Sequence, residues 1–118
     1  MALFDTSVVI DMLRGRKDFS IGSISVITMF ELLRGVRIDK RVEVKNLLED
    51  SFDVIGMDNK VILTYCDLYS SLREAGKLVP DSDLIIAAAA KAYGETLQTR
   101  DKRFLIFRDY DVDVEILE

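Results

Sequence analysis

Four carboxylates stand at positions that suit chemistry: Asp5, Glu31, Asp83 and Asp101. Asp5 directly follows the short apolar run Ala2-Leu3-Phe4. Asp101 follows Thr96-Leu97-Gln98-Thr99 after one intervening residue. Both runs read as strands, so both acids project from the carboxyl ends of strands. Glu31 lies in the helically spaced stretch from Thr28 to Val36. Asp83 lies in the first turn of a helix that opens at Pro80-Asp81-Ser82. If those helices return to the same sheet edge, the four acids converge on one pocket. Clustered carboxylates repel one another unless a cation fills the gap. Mg²⁺ and Mn²⁺ are the hard cations that such oxygen ligands hold. A cluster of this kind suits metal-assisted phosphodiester hydrolysis, in which bound ions lower the pKa of the attacking water and stabilise the leaving oxygen.

Each acid has an ordinary structural role as well. Asp5, Thr6 or Ser7 can cap the helix that follows. Thr28-x-x-Glu31 matches a capping box. Asp83 suits a helix first turn, where the dipole favours negative charge, and Asp101 suits a turn. Asp81 reads as a cap beside Asp83. Taken one at a time these roles suffice; taken together they require four coincidences at one sheet edge.

The rest of the composition narrows the chemistry. The 118 residues include no His and one Cys. That excludes a Ser-His-Asp triad, a Cys-His pair and a His-rich zinc site. The single Cys66 has no internal disulfide partner, reads as a small hydrophobe, and fits a reducing cytoplasm. No signal-peptide pattern opens the sequence, and the apolar run Leu84 to Ala90 is too short to span a bilayer. The formal net charge is −5, unevenly spread. The first 45 residues hold eight basic and six acidic side chains, the remainder eight and fifteen. This balance favours a cation partner over a purely electrostatic nucleic-acid binder. The basic stretch Arg34, Arg37, Lys40, Arg41 and Lys45 reads equally as an RNA-steering surface and as a solvated helix face.

The elements that must position the acids follow from periodicity. Short strands are expected at 2–4, 52–55, 96–99 and 112–116, with Ile24-Ser25-Val26 a strand or a helix start. Helices are expected at 6–14, 28–36, 39–50, 59–75 and 84–93. Gly15, Gly76 and Gly94 serve as stops. Ala87 to Ala90 make a thin helix able to lie close to a sheet. Strands separated by helices give an α/β fold, three-layered α/β/α with a mainly parallel central sheet, and one domain over 1–118. A phospho-accepting receiver domain has a similar architecture. It needs an acceptor Asp at a central strand end and a Lys after a late strand. Here Asp53 lies inside a strand-like run, and Arg100-Asp101 follow Thr99.

Four segments in order carry a resemblance. They are Phe4-Asp5-Thr6-Ser7-Val8-Val9-Ile10-Asp11, Ser25-Val26-Ile27-Thr28-Met29-Phe30-Glu31-Leu32-Leu33-Arg34-Gly35, Asp81-Ser82-Asp83-Leu84-Ile85-Ile86-Ala87-Ala88-Ala89-Ala90, and Thr99-Arg100-Asp101-Lys102-Arg103-Phe104. Together they resemble the PIN-domain ribonucleases, and within them the VapC-type toxins of toxin–antitoxin pairs. The resemblance implies a PIN-like fold and an endoribonuclease that leaves a 5′-phosphate and a 3′-hydroxyl. By the same resemblance, Asp5, Glu31, Asp83 and Asp101 would be catalytic acids that hold Mg²⁺ or Mn²⁺. Thr6 and Thr99 would be supporting hydroxyls. It further implies a homodimer and a cognate antitoxin that blocks the site. Arg100, Lys102 and Arg103 flank a proposed ligand and are expected near phosphate, with Arg100 and Lys102 expected to steer RNA. The chain departs from the family pattern at Arg103, where many relatives carry a further acid. The alternative is a non-catalytic PIN scaffold that binds RNA or protein.

Overall fold

A computed structural model describes all residues from Met1 to Glu118. The chain alternates strand and helix: β1 (Ala2–Phe4), α1 (Thr6–Leu13), β2 (Ser23–Ser25), α2 (Val26–Arg34), a 3-10 turn (Ile38–Lys40), α3 (Arg41–Ser51) and β3 (Asp53–Ile55). Then come α4 (Asn59–Glu74), α5 (Asp81–Ala92), β4 (Thr96–Thr99), a 3-10 helix (Lys102–Tyr110) and β5 (Val114–Ile116). The five strands form one sheet in the order β3-β2-β1-β4-β5, and every neighbouring pair is parallel. Parallel strands need crossover helices, which cover both faces.

Side-chain alternation along β1 sorts the two cores. Leu3 joins Leu97 and Val114 under α4, α5 and the 3-10 helix, with Leu68, Leu72, Phe104 and Phe107. Phe4 points to the other face, among Val8, Val9 and Met12 of α1, Met29 and Leu32 of α2, and Leu48 of α3. This is the α/β/α layering that the sequence implies. Ala87 to Ala90 are all buried to within 1%, so the small side chains let α5 sit against the sheet. Gly22, where β2 approaches β1, admits no side chain. A Cβ there would stand 2.5 Å from the Phe4 ring and 2.7 Å from the Ala2 carbonyl. No helix is long and apolar enough to cross a membrane.

Three local expectations are corrected. α2 begins at Val26, not Thr28, because the Ser25 hydroxyl accepts the Ile27 N–H and caps the helix. The capping box at Thr28 and Glu31 is therefore absent; Thr28 is fully buried within the helix. Asp81 caps nothing: its carboxylate accepts the Tyr65 hydroxyl at 2.7 Å, and the cap position is Pro80. That bond, with burial, pushes the Tyr65 phenol up to about 12. Cys66 is exposed on α4 rather than a core hydrophobe.

Candidate metal and RNA site

Because all strands run the same way, their carboxyl ends share one edge, where ligands of open α/β sheets bind. Asp5 leaves β1 at that edge, and its N–H continues the ladder to the Gln98 carbonyl at 2.9 Å. Asp101 leaves β4, the adjacent strand, at the same edge. Glu31 comes from α2, which follows β2 without a loop. Asp83 arrives from the other direction. α5 leads into the start of β4 through Gly94, so its opposite, N-terminal end lies at the carboxyl edge.

Asp5 is 6% exposed and fully engaged. One oxygen accepts the Thr6 N–H at 2.7 Å. The other accepts the Ser7 hydroxyl at 2.9 Å and the buried Thr99 hydroxyl at 2.7 Å. It therefore caps α1 and faces the edge at the same time. Glu31 accepts the Thr6 hydroxyl at 2.8 Å, and Thr6 Oγ1 lies 3.1 Å from Thr28 Oγ1. Asp101 caps the 3-10 helix by accepting the Arg103 N–H at 2.9 Å. The Arg103 guanidinium grips the same carboxylate through Nε at 2.9 and 3.1 Å and Nη2 at 2.5 Å. That hydrogen-bonded ion pair holds Asp101 below the usual carboxylate range.

Asp83 is half-buried and has no hydrogen-bonding donor of its own. Burial pushes its carboxyl above the usual range; Arg103 pulls the other way, and the charges of Asp5, Asp101 and Glu31 push it further up. One carboxyl thus feels the field of the other three. No three acids stand close enough together to enclose an ion, because Asp5, Glu31 and Asp101 are each turned toward their own donors. The set nonetheless fits a hard divalent cation in kind: every candidate ligand is a carboxylate oxygen, and Asp83 has the through-space charge of Arg103 but no donor bonded to it.

Of the supporting residues, Thr6 and Thr99 touch the acids as described. Ser7 and Thr28, which the sequence offers only as capping residues, join them. The flanking bases behave differently. Arg100 turns back to Asp11, its Nη1 2.6 Å from Oδ2, while its N–H donates to Ser7 Oγ at 3.3 Å. Lys102 is exposed. Asp11 was overlooked: it is 7% exposed on the apolar side of α1 beside Val8 and Met12. A charged residue on a core-facing stripe was the available signal. In the basic stretch, Arg37 pairs with Asp39, Lys40 with Glu43 and Lys45 with Glu49, all on the surface. Such exposed pairs suit a solvated face.

Beside Asp83 and Arg103 opens a cavity of about 360 Å³, walled by Val79, Pro80, Ile106 and Phe107. No cavity is lined by all four acids; Glu31 borders a separate one between α1 and α2.

Comparison with known proteins agrees with this layout. The model of the family described as PIN domain matches residues 2–111. Ribonuclease VapC1 of Methanocaldococcus jannaschii is 34% identical over 103 residues, spanning 86% of this chain and 76% of that protein. Ribonuclease VapC4 of Mycobacterium tuberculosis is 33% identical over 124 aligned positions, 94% of each. The structure of VapBC-5, a member of the VapBC family of toxin–antitoxin systems from Mycobacterium tuberculosis, superposes with a TM-score of 0.69 at 28% identity. It covers 99% of this chain and 98% of that one. With the parallel sheet, the acid-bearing edge and a family match over nearly its whole length, the chain belongs to the PIN domain family.

Proposed function

We propose that this chain is a divalent-metal-dependent endoribonuclease that hydrolyses RNA phosphodiester bonds, the toxin half of a toxin–antitoxin pair acting in the cytoplasm. The observation that carries the reading is Asp83: half-buried at the sheet edge, its carboxyl is raised chiefly by burial and further by the three other acids, against the pull of Arg103. Its similarity to ribonucleases VapC supports the same reaction. Asp5, Glu31, Asp83 and Asp101 would hold Mg²⁺ or Mn²⁺. When bound, the ion supplies an activated water and neutralises charge at the scissile phosphate. The chain's own groups do the rest. Thr6, Ser7 and Thr99 fix the oxygens of Asp5 and Glu31, sparing the reorganisation that loosely held ligands would need. Lys102 is free to attract the RNA backbone; Arg100 shares its charge with Asp11. A cognate antitoxin would cover this edge. A homodimer would bury the exposed apolar side chains Met57 and Ile62 near the start of α4.

Metal-free protein mixed with a defined single-stranded RNA is expected to cleave only after Mn²⁺ is added. Asp5→Asn should slow cleavage by at least roughly 100-fold, the upper range for losing even an outer-shell partner of a metal ligand. Cleavage that persists in excess chelator, or a variant as fast as wild type, rules the mechanism out. The spread of the acids favours one other reading, a scaffold that binds RNA without cutting it. RNA binding without cleavage in any divalent ion is its signature.

A further inference from the structure

Arg103 is the cation that faces the acid cluster. Its guanidinium makes a fork on the Asp101 carboxylate and hydrogen-bonds to nothing else. Such planar pairing is the strong form of a carboxylate contact, yet the Arg103 side chain is 75% exposed. Nothing packs it in place, so the grip rests on one partner. The same guanidinium acts on Asp83 and Asp5 through space. It also lines the cavity that runs from Asp83 along Pro80, Ile106 and Phe107. At about 360 Å³ this cavity lies in the size range of small-ligand sites. Its apolar wall and single cation match the two faces of a nucleotide: a base that stacks on apolar surface and a phosphate that pairs with Arg.

Two cations cannot share one carboxylate at full strength. A divalent ion at the sheet edge needs Asp101, which Arg103 holds. We propose that Arg103 is an exchangeable cation of this site, holding Asp101 in the metal-free protein, yielding it to a divalent ion, and then binding a phosphate of the RNA strand whose nucleotide occupies the cavity beside Asp83. The proposal rests on the ribonuclease reading and adds to it an order of events. Metal and nucleotide should bind with positive coupling, because the first frees the ligand of the second. Arg103 is then a positioning residue for the metal ligands and a direct contact for substrate.

The test uses two probes, neither of which is cleaved. Mn²⁺ alone is titrated calorimetrically into chelator-treated wild type, Arg103→Gln and Arg103→Lys. A nucleoside 5′-monophosphate is then titrated into each, with and without Mn²⁺. Removing the competitor should tighten Mn²⁺ binding about 2- to 5-fold in Arg103→Gln, the scale of one exposed ion pair. Arg103→Lys, which keeps the charge and loses the fork, should fall between. With Mn²⁺ present, the nucleotide should bind Arg103→Gln about 2- to 5-fold more weakly than wild type. Without Mn²⁺ the two should bind it alike. Opposite changes for the two probes support the exchange. Unchanged or weaker Mn²⁺ binding by Arg103→Gln overturns it. Tighter Mn²⁺ with unchanged nucleotide binding overturns the phosphate contact. If wild type and variant both fail to bind Mn²⁺, the metal-dependent reading itself falls, a result distinct from the others.

Discussion

Asp5 and Glu31 are held from inside the fold by neutral donors, whereas Asp83 and Asp101 stand at its rim and answer to charges. On the inner side, Thr6, Ser7 and Thr99 donate hydroxyl protons across three elements. Their geometry is set by packing and is little affected by salt. On the outer side, Asp101 is gripped by an exposed guanidinium, and Asp83 has no donor, only burial and three acids that push its carboxyl up against the pull of Arg103. A site built this way has a rigid half, which fixes where an ion can sit, and an adjustable half, which can change partners. Hydrogen-bonded hydroxyls give position; charges give response to what arrives.

The largest effect should come from breaking the rigid half. Thr99→Val keeps the shape and deletes the hydroxyl that bonds Asp5 and accepts the Asp101 N–H. With both partners buried or partly buried, the loss should cost about 1–3 kcal/mol in denaturant melts. It should also weaken Mn²⁺ binding by about 10- to 100-fold. If neither changes, the hydroxyl does not hold Asp5.

A smaller effect of the opposite sign is expected at Asp83. Its folded pKa is raised, chiefly by burial. The protonated form therefore favours folding below the unfolded value near about 3.9. That contribution disappears as pH rises through the raised value. At pH 7 the ionised group is a cost, so metal-free Asp83→Asn should be as stable as wild type or more so, by about 1 kcal/mol or less after solvent screening. Mn²⁺ should raise the wild-type melting temperature by mass action and that of the variant much less. Equal shifts would show that Asp83 is only a first-turn helix acid.

The smallest effect should be at Asp101, with the pH slope reversed. Arg103 lowers its pKa, so the pair stabilises above the unfolded carboxylate value and is lost as pH falls through the lowered one. Asp101→Asn keeps a good cap but loses the ion pair. Its melting temperature at pH 7 should drop by no more than about 2 °C. The drop should shrink in acid and in high salt. A drop that is the same at every pH and salt would mean that the charge contributes nothing.

The strand ends and the inner acids were legible because local pattern decides them. Ala2-Leu3-Phe4 and Thr96 to Thr99 read as strands, and both are strands. The Ala-rich helix was equally plain. What escaped depends on contacts that no local rule contains. The capping box at Thr28 and Glu31 lost to Ser25, which was already in place two residues upstream of Ile27. Asp81 was claimed by Tyr65 from another helix. The 3-10 helix from Lys102 to Tyr110 went unread, although Phe104 and Phe107 are spaced by the three residues that such a helix repeats and both are buried. Arg103 reads from the sequence as a missing acid and as one of three bases near phosphate, not as the partner of Asp101. That its guanidinium folds back on a residue two positions away follows from the cap that Asp101 makes, which fixes both backbones together.

The bond from Thr99 to Asp5 joins positions 94 residues apart, and β1 finds its central neighbour β4 only across that span. Contacts so distant in sequence form late, after the loop entropy between them has been overcome. During synthesis, a nascent chain lacking residues 96–101 has α1 and α2 but neither β4, Thr99 nor Asp101. Half of the acid edge then has no scaffold, and Asp5 lacks a buried donor. The order of the elements along the chain therefore delays the site until β4 and Asp101 have been made, and any product truncated before them lacks it.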